Sequence, residues 1–162
     1  MLHKKRGFTL TELLAVVVII GILSSVALPQ YRRSIQRAEA VEGLEHLRAI
    51  LDASMRFRSA HDAAPTKLAG LDVSFYNASS QTASTTDIDN FRFTFSNNGI
   101  TACRLPTGDG SCSSYYFTGY YNNPTYGGKG ALTCTYVSDK YDRVCEVFGT
   151  EDSENSHVFR VE

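Results

Sequence analysis

Apolar residues run almost unbroken from Phe8 to Leu28, in FTLTELLAVVVIIGILSSVAL, before the chain turns periodic. As a helix those 21 residues rise about 31 Å, close to the thickness of a bilayer core. From Gln30 onward apolar side chains recur at Tyr31, Ile35, Ala38, Val41, Leu44, Leu47, Leu51 and Met55, in steps of three or four. That spacing predicts one stripe along an amphipathic helix. Arg33, Arg37, Glu42, Glu45, Arg48 and Asp52 occupy its other faces and predict a solvated or subunit-facing surface. The two stretches together predict one long helix, anchored by its first half and packed against a domain by its second. Pro29 deprives the Ser25 carbonyl of its donor and predicts a kink there, and Gly21 weakens the helix further. Gly43 reads as a weak spot in the second half.

After His61 the pattern changes. HDAAPTKLAG ends the helix, and LDVSFYNASSQTASTTDIDN is polar and without clear period, which reads as a connecting loop. Within it the run SSQTASTT at 79–86 is expected outside any core, because its hydroxyls would need partners that a dry interior seldom offers. FRFTF at 91–95, the turn NNG at 97–99 and ITACRL from 100 predict a hairpin. Further strands are predicted at 114–121 (SYYFTGYY), 132–137 (LTCTYV), 143–148 (RVCEVF) and 157–161 (HVFRV). The fold class expected is α+β: a long N-terminal helix whose apolar stripe is covered by an antiparallel sheet.

Charge sharpens the N-terminal picture. The net charge is −1, but Lys4, Lys5 and Arg6 supply three of the 16 cations ahead of the apolar run, and without them thirteen cations face 17 anions. The remainder is mildly acidic and lacks the net basic field that nucleic-acid binders use. Inside the apolar run stands one acid, Glu12. The hydroxyls of Thr9, Thr11, Ser24 and Ser25 can return to the helix backbone, whereas Glu12 is left without an evident local partner. An ionised group at the centre of a bilayer costs roughly 2.5 to 3.5 kcal/mol even on mild scales, so an acid here marks function. A secretory signal peptide fits poorly, since the run exceeds its usual apolar length of about 7 to 15 residues. Charge alone leaves the topology open, because Arg32, Arg33 and Arg37 flank the far end as heavily as the leader flanks the near end.

KKRG followed by FTLTELLAVVVIIGILSSVALPQY resembles the N-terminus of type IV pilins and pseudopilins, with Gly7, Phe8, Thr9, Leu10, Glu12 and Leu13 as the matching positions and Gly21, Pro29 and Tyr31 also in place. The resemblance covers roughly the first third of the chain. It implies a leader of residues 1–7, a transmembrane and polymerisation helix at 8–28, an amphipathic stem at 29–60 and a loop and sheet region at 61–162. It further implies cleavage after Gly7 by a prepilin peptidase on the cytoplasmic side and methylation of the new terminus, Phe8. Cleavage creates a cationic amine about one helical turn from Glu12, so the amine of the same or a neighbouring chain can neutralise the acid within the apolar layer. The implied protein is single-pass in the inner membrane, surrounded by lipid, and passes through an assembly platform into an extracellular pilus of identical subunits and other pilins. A periplasmic pseudopilus of a type II secretion system is the alternative, and a minor pilin binding DNA or another ligand is the third.

The four cysteines, Cys103, Cys112, Cys134 and Cys145, all lie in the region that the resemblance places outside the cytoplasm, and their even count favours disulfides. Separations of 9, 22 and 11, with His157 the only nearby histidine, fit zinc poorly. Sequential pairing is plausible, since each pair brackets a turn, although three connectivities are open. No cofactor and no catalytic function is expected: His3, His46, His61 and His157 are scattered, and H-E-x-x-H, G-x-S-x-G, C-x-x-C and a phosphate-binding glycine loop are all missing. Glu39, Glu42 and Glu45 form a row on the stem that reads as a solvated face. Asp87, Asp89 and Asn90 in DIDN suit a calcium loop or an ordinary turn equally. Of Tyr115, Tyr116, Phe117, Tyr120, Tyr121 and Tyr126, half are expected in the core; the rest suit stacking on a neighbouring subunit, which is favoured, or on sugar rings or the bases of single-stranded DNA. Lys129 is the nearest cation, which counts against nucleic acid.

Overall fold

The computed structural model describes residues 9–105 and 112–162. A single helix, α1, runs from Leu10 to His61 and passes through both Gly21 and Pro29 without a break in assignment. It ends where Asp62 takes a left-handed backbone conformation, φ 50°, and its N–H bonds the Arg58 carbonyl at 2.9 Å. The chain divides into two compact units, residues 1–36 and residues 37–162.

In the first unit the described chain from Leu10 is helix alone. Every large apolar side chain from Leu10 to Leu28 is between 48% and 80% exposed, so none of the described residues of this unit covers the apolar surface. Tyr31 and Ile35, the first members of the predicted stripe, are exposed as well.

The second unit packs the later turns of α1 against a seven-stranded antiparallel sheet. Its strands are β1 (Thr85–Ile88), β2 (Phe91–Phe95), β3 (Gly99–Arg104), β4 (Tyr115–Tyr120), β5 (Leu132–Tyr136), β6 (Gly149–Asp152) and β7 (Asn155–Val161), in the order β1-β2-β3-β4-β5-β7-β6. Period-two alternation puts Phe91, Phe93 and Phe95, then Ile100 and Ala102, then Tyr115 and Phe117 on one buried face. Leu44, Leu47, Ile50 and Leu51 of α1 meet them in one core.

Several expectations are corrected here. Val41 is exposed, whereas Ala40 and Ile50, outside the predicted stripe, are completely buried. RVCEVF is not a strand: Asp142–Cys145 forms a short helix, α2, which packs on β5 and β7. Val144 and Cys145 are consecutive and both buried, and the disulfide to Cys134 holds this turn against β5. The Ser/Thr stretch ends in strand β1, and Thr86 is only 1% exposed, because the period-two burial of Thr86 and Ile88 brings this edge into the core.

Gly43 is not a weak spot but a site of close approach. A Cβ there would collide with the Phe91 ring, so the absent side chain lets the sheet reach the helix. Gly119 does the same on β4, where a Cβ would stand 2.9 Å from a Leu51 methyl. Gly43→Ala is therefore expected to destabilise the protein by roughly 1 to 2 kcal/mol, overpacking outweighing a helix-propensity gain of about 1 kcal/mol. Gly21→Ala, whose Cβ meets nothing within 4 Å, carries only the propensity gain. Denaturant unfolding of the two variants checks the contrast.

The cysteines pair sequentially. Cys103–Cys112 and Cys134–Cys145 are bridged, with Cα separations of 5.7 and 5.4 Å. Both sulfurs of the second bridge belong to fully buried residues, and the bond ties β5 to α2. Replacing Cys134 and Cys145 together by alanine is expected to cost about 3 kcal/mol on the chain-entropy model, read as a lower unfolding midpoint.

Candidate functional site

The site that the sequence singles out is the head of α1. Thr9 immediately precedes the first helical residue, Leu10, and Glu12 is the third residue of the helix. The Thr9 backbone N–H and hydroxyl both donate to Glu12 Oε2 at 2.8 Å, and the Glu12 backbone N–H donates to the Thr9 hydroxyl at 3.3 Å. This reciprocal arrangement is a capping box, in which threonine and glutamate satisfy two amide donors that a helix N-terminus otherwise leaves free. The expectation that Glu12 has no local partner is thereby overturned. T-x-x-E, readable as Thr9-Leu10-Thr11-Glu12, was the signal that reasoning from membrane cost alone passed over. A carboxylate in the first turn also faces the positive end of the helix dipole. Gly7 and Phe8 lie outside the described residues.

Below this head the side chains from Leu13 to Leu28 are apolar apart from Ser24 and Ser25. Ser25 Oγ donates to the Ile22 carbonyl at 2.7 Å, as expected of a serine in an apolar helix. The segment is long and apolar enough to cross a membrane, and none of its most apolar stretch is buried in the chain. The geometry provides a capped, singly acidic helix head on an uncovered apolar rod. Such a rod gains roughly 1.5 to 3 kcal/mol for each large side chain that a lipid or protein environment takes out of water.

In the second unit the remaining candidate residues are spread over several places, though Glu42, His46 and Asp89 come together. Glu39 pairs with Arg104 at 2.8 Å, so the glutamate row does not act as a unit, while Glu42 and Glu45 are exposed. Asp87 is bound bidentately by Arg92, at 2.7 and 2.9 Å, and Asp89 by the Asn77 amide, so the two do not form a calcium loop between them. Tyr115, Phe117 and Tyr121 are buried, whereas Tyr120 stacks on Tyr126 with centroids 5.5 Å apart. Burial raises the Tyr115 and Tyr121 phenols above their ordinary value. The fold brings up cations that linear distance concealed: Arg58 lies over Tyr121 at 4.7 Å and Arg160 over Tyr126 at 5.9 Å.

Comparison with known proteins centres on the same N-terminal stretch. Residues 2–28 match the prokaryotic N-terminal methylation motif. The chain is 41% identical over 59 residues to the type IV major pilin protein PilA of Myxococcus xanthus, covering 36% of this chain and 27% of that one. It is 52% identical over 40 residues to the type IV major fimbrial protein FimA of Dichelobacter nodosus, a quarter of each chain. A fimbrial protein of Moraxella nonliquefaciens matches at 49% over 41 residues, 25% of this chain and 27% of its own. The matched stretch thus spans about a quarter of the length of these curated relatives. An apolar N-terminal helix that carries the methylation motif and packs its later turns against an antiparallel sheet is a pilin-like α+β arrangement. Over roughly its first third the chain is similar to type IV pilins and fimbrial proteins.

Proposed function

We propose that this protein is a pilus subunit, cleaved after Gly7, methylated on Phe8, held in the inner membrane by residues 8–28 and then polymerised into an extracellular filament. The observation that carries the reading is the uncovered apolar helix headed by the methylation motif, with a single acid four residues beyond Phe8. Single-pass anchoring hides the apolar residues in lipid before assembly, and bundling with other subunits hides them afterwards. The partners are a prepilin peptidase, an inner-membrane assembly platform and other pilins. The part played is structural rather than catalytic, and the two disulfides suit an oxidising exterior.

Within this reading Glu12 has two successive partners. Before cleavage it caps the helix with Thr9; afterwards the new Phe8 amine stands about one turn away and competes for the same carboxylate, in its own chain or in the next. Mass spectrometry of filaments sheared from the cell surface tests the proposal. An abundant chain beginning at methylated Phe8 is the expected result. Restriction of the processed chain to the envelope would overturn the pilus assignment in favour of a type II secretion pseudopilin.

A further inference from the structure

A glutamate, a histidine and an aspartate converge where α1 passes the edge of the sheet. Glu42 and His46 stand four residues apart on α1 and so share a face. Asp89 comes from the turn between β1 and β2, in a left-handed backbone conformation with φ 52°. One ligand atom from each of the three lies within 4.8 Å of the others. The Asn77 amide holds one Asp89 oxygen, and the other is 3.9 Å from His46 Nδ1. That nitrogen is shut off from solvent and has no hydrogen-bond partner, while its ring stands edge-on to Phe75 at 5.1 Å and Phe93 at 6.5 Å.

At 3.9 Å the His46–Asp89 separation is too long for a hydrogen bond. It is close to the spacing of two donors on one ion: arms of about 2.0–2.1 Å in a tetrahedron put donors about 3.4 Å apart. Glu42 is exposed and can swing the remaining distance. We propose that Glu42, His46 and Asp89 form a site for a divalent transition metal, with Zn²⁺ the ion that this donor set suits. Calcium and magnesium favour oxygen donors and copper(I) favours sulfur, whereas one imidazole and two carboxylates match a borderline ion. His46 Nδ1, left without a proton partner, becomes the nitrogen donor. Asn77 orients Asp89 from behind, and a water completes the shell. The ion would clip the middle of α1 to the β1–β2 turn. Neighbouring Asp87 takes no part, being held by Arg92.

The test is calorimetric titration of metal-stripped, detergent-solubilised full-length protein with zinc chloride, with calcium chloride as the comparison and thermal unfolding as a second readout. One zinc per chain in the micromolar range or tighter, with a raised unfolding midpoint and no comparable response to calcium, is expected. His46→Gln and Asp89→Asn should each weaken zinc binding by at least about tenfold, the scale seen even for the outer partners of metal ligands. Should either fail to fold, Glu42→Gln changes an exposed side chain and must show the same weakening. Zinc binding only in the millimolar range, or unchanged in Glu42→Gln and His46→Gln, would overturn the site.

Discussion

Glu12→Leu is expected to leave export and leader cleavage intact while surface filaments disappear. Leucine removes the cost of a carboxylate in hydrocarbon and adds apolar surface, so the processed subunit should accumulate in the membrane. Leucine also destroys the capping box with Thr9, whose loss costs a helix roughly 0.5 to 2 kcal/mol. Two explanations for failed assembly would then stand together. Glu12→Gln separates them, because glutamine keeps the oxygen that accepts from Thr9 yet carries no charge to pair with the Phe8 amine. If the charge is the assembly device, both variants lose filaments. Immunoblots of membrane and sheared fractions read the outcome, and filaments restored by glutamine but not by leucine would assign Glu12 to helix capping instead.

Gly7→Val should fail one step earlier. On the proposed cleavage after Gly7, a branched side chain there is expected to block the peptidase and leave the three cations of Lys4, Lys5 and Arg6 attached to the apolar helix. No free amine then forms at Phe8, so Glu12 keeps Thr9 as its partner and filaments are lost from an uncleaved chain. The mass of the membrane-bound protein distinguishes the two lesions: mature for Glu12→Leu, longer by the leader for Gly7→Val. Mature-length protein from Gly7→Val would remove Gly7 from the cleavage site.

These expectations concern the part of the chain that reads most directly. A helix long enough for a bilayer announces itself by composition over 21 consecutive residues, and strands such as FRFTF and HVFRV announce themselves by alternation. RVCEVF looked the same and is not a strand, because the bridge from Cys145 to Cys134 and the joint burial of Val144 and Cys145 outweigh a propensity worth a few tenths of a kcal/mol per residue. Thr85–Ile88 was hidden by the opposite effect. Serines and threonines beside it read as loop, and only pairing with β2 turns it into an edge strand.

By itself, then, the sequence determined the properties that depend on neighbours along the chain: the apolar rod with the cations that precede it, the acid at its head, the helix that follows and the hairpin of β2 and β3. Each is a matter of local period, and local period survives without a fold. Tertiary structure alone decided what depends on distant residues meeting. It selected one cysteine pairing among three, made Gly43 a contact for Phe91, and brought Asp89 to a histidine 43 positions earlier. Such meetings are set by sheet register and by the approach of α1 to the sheet, and close packing makes both sensitive to single side chains.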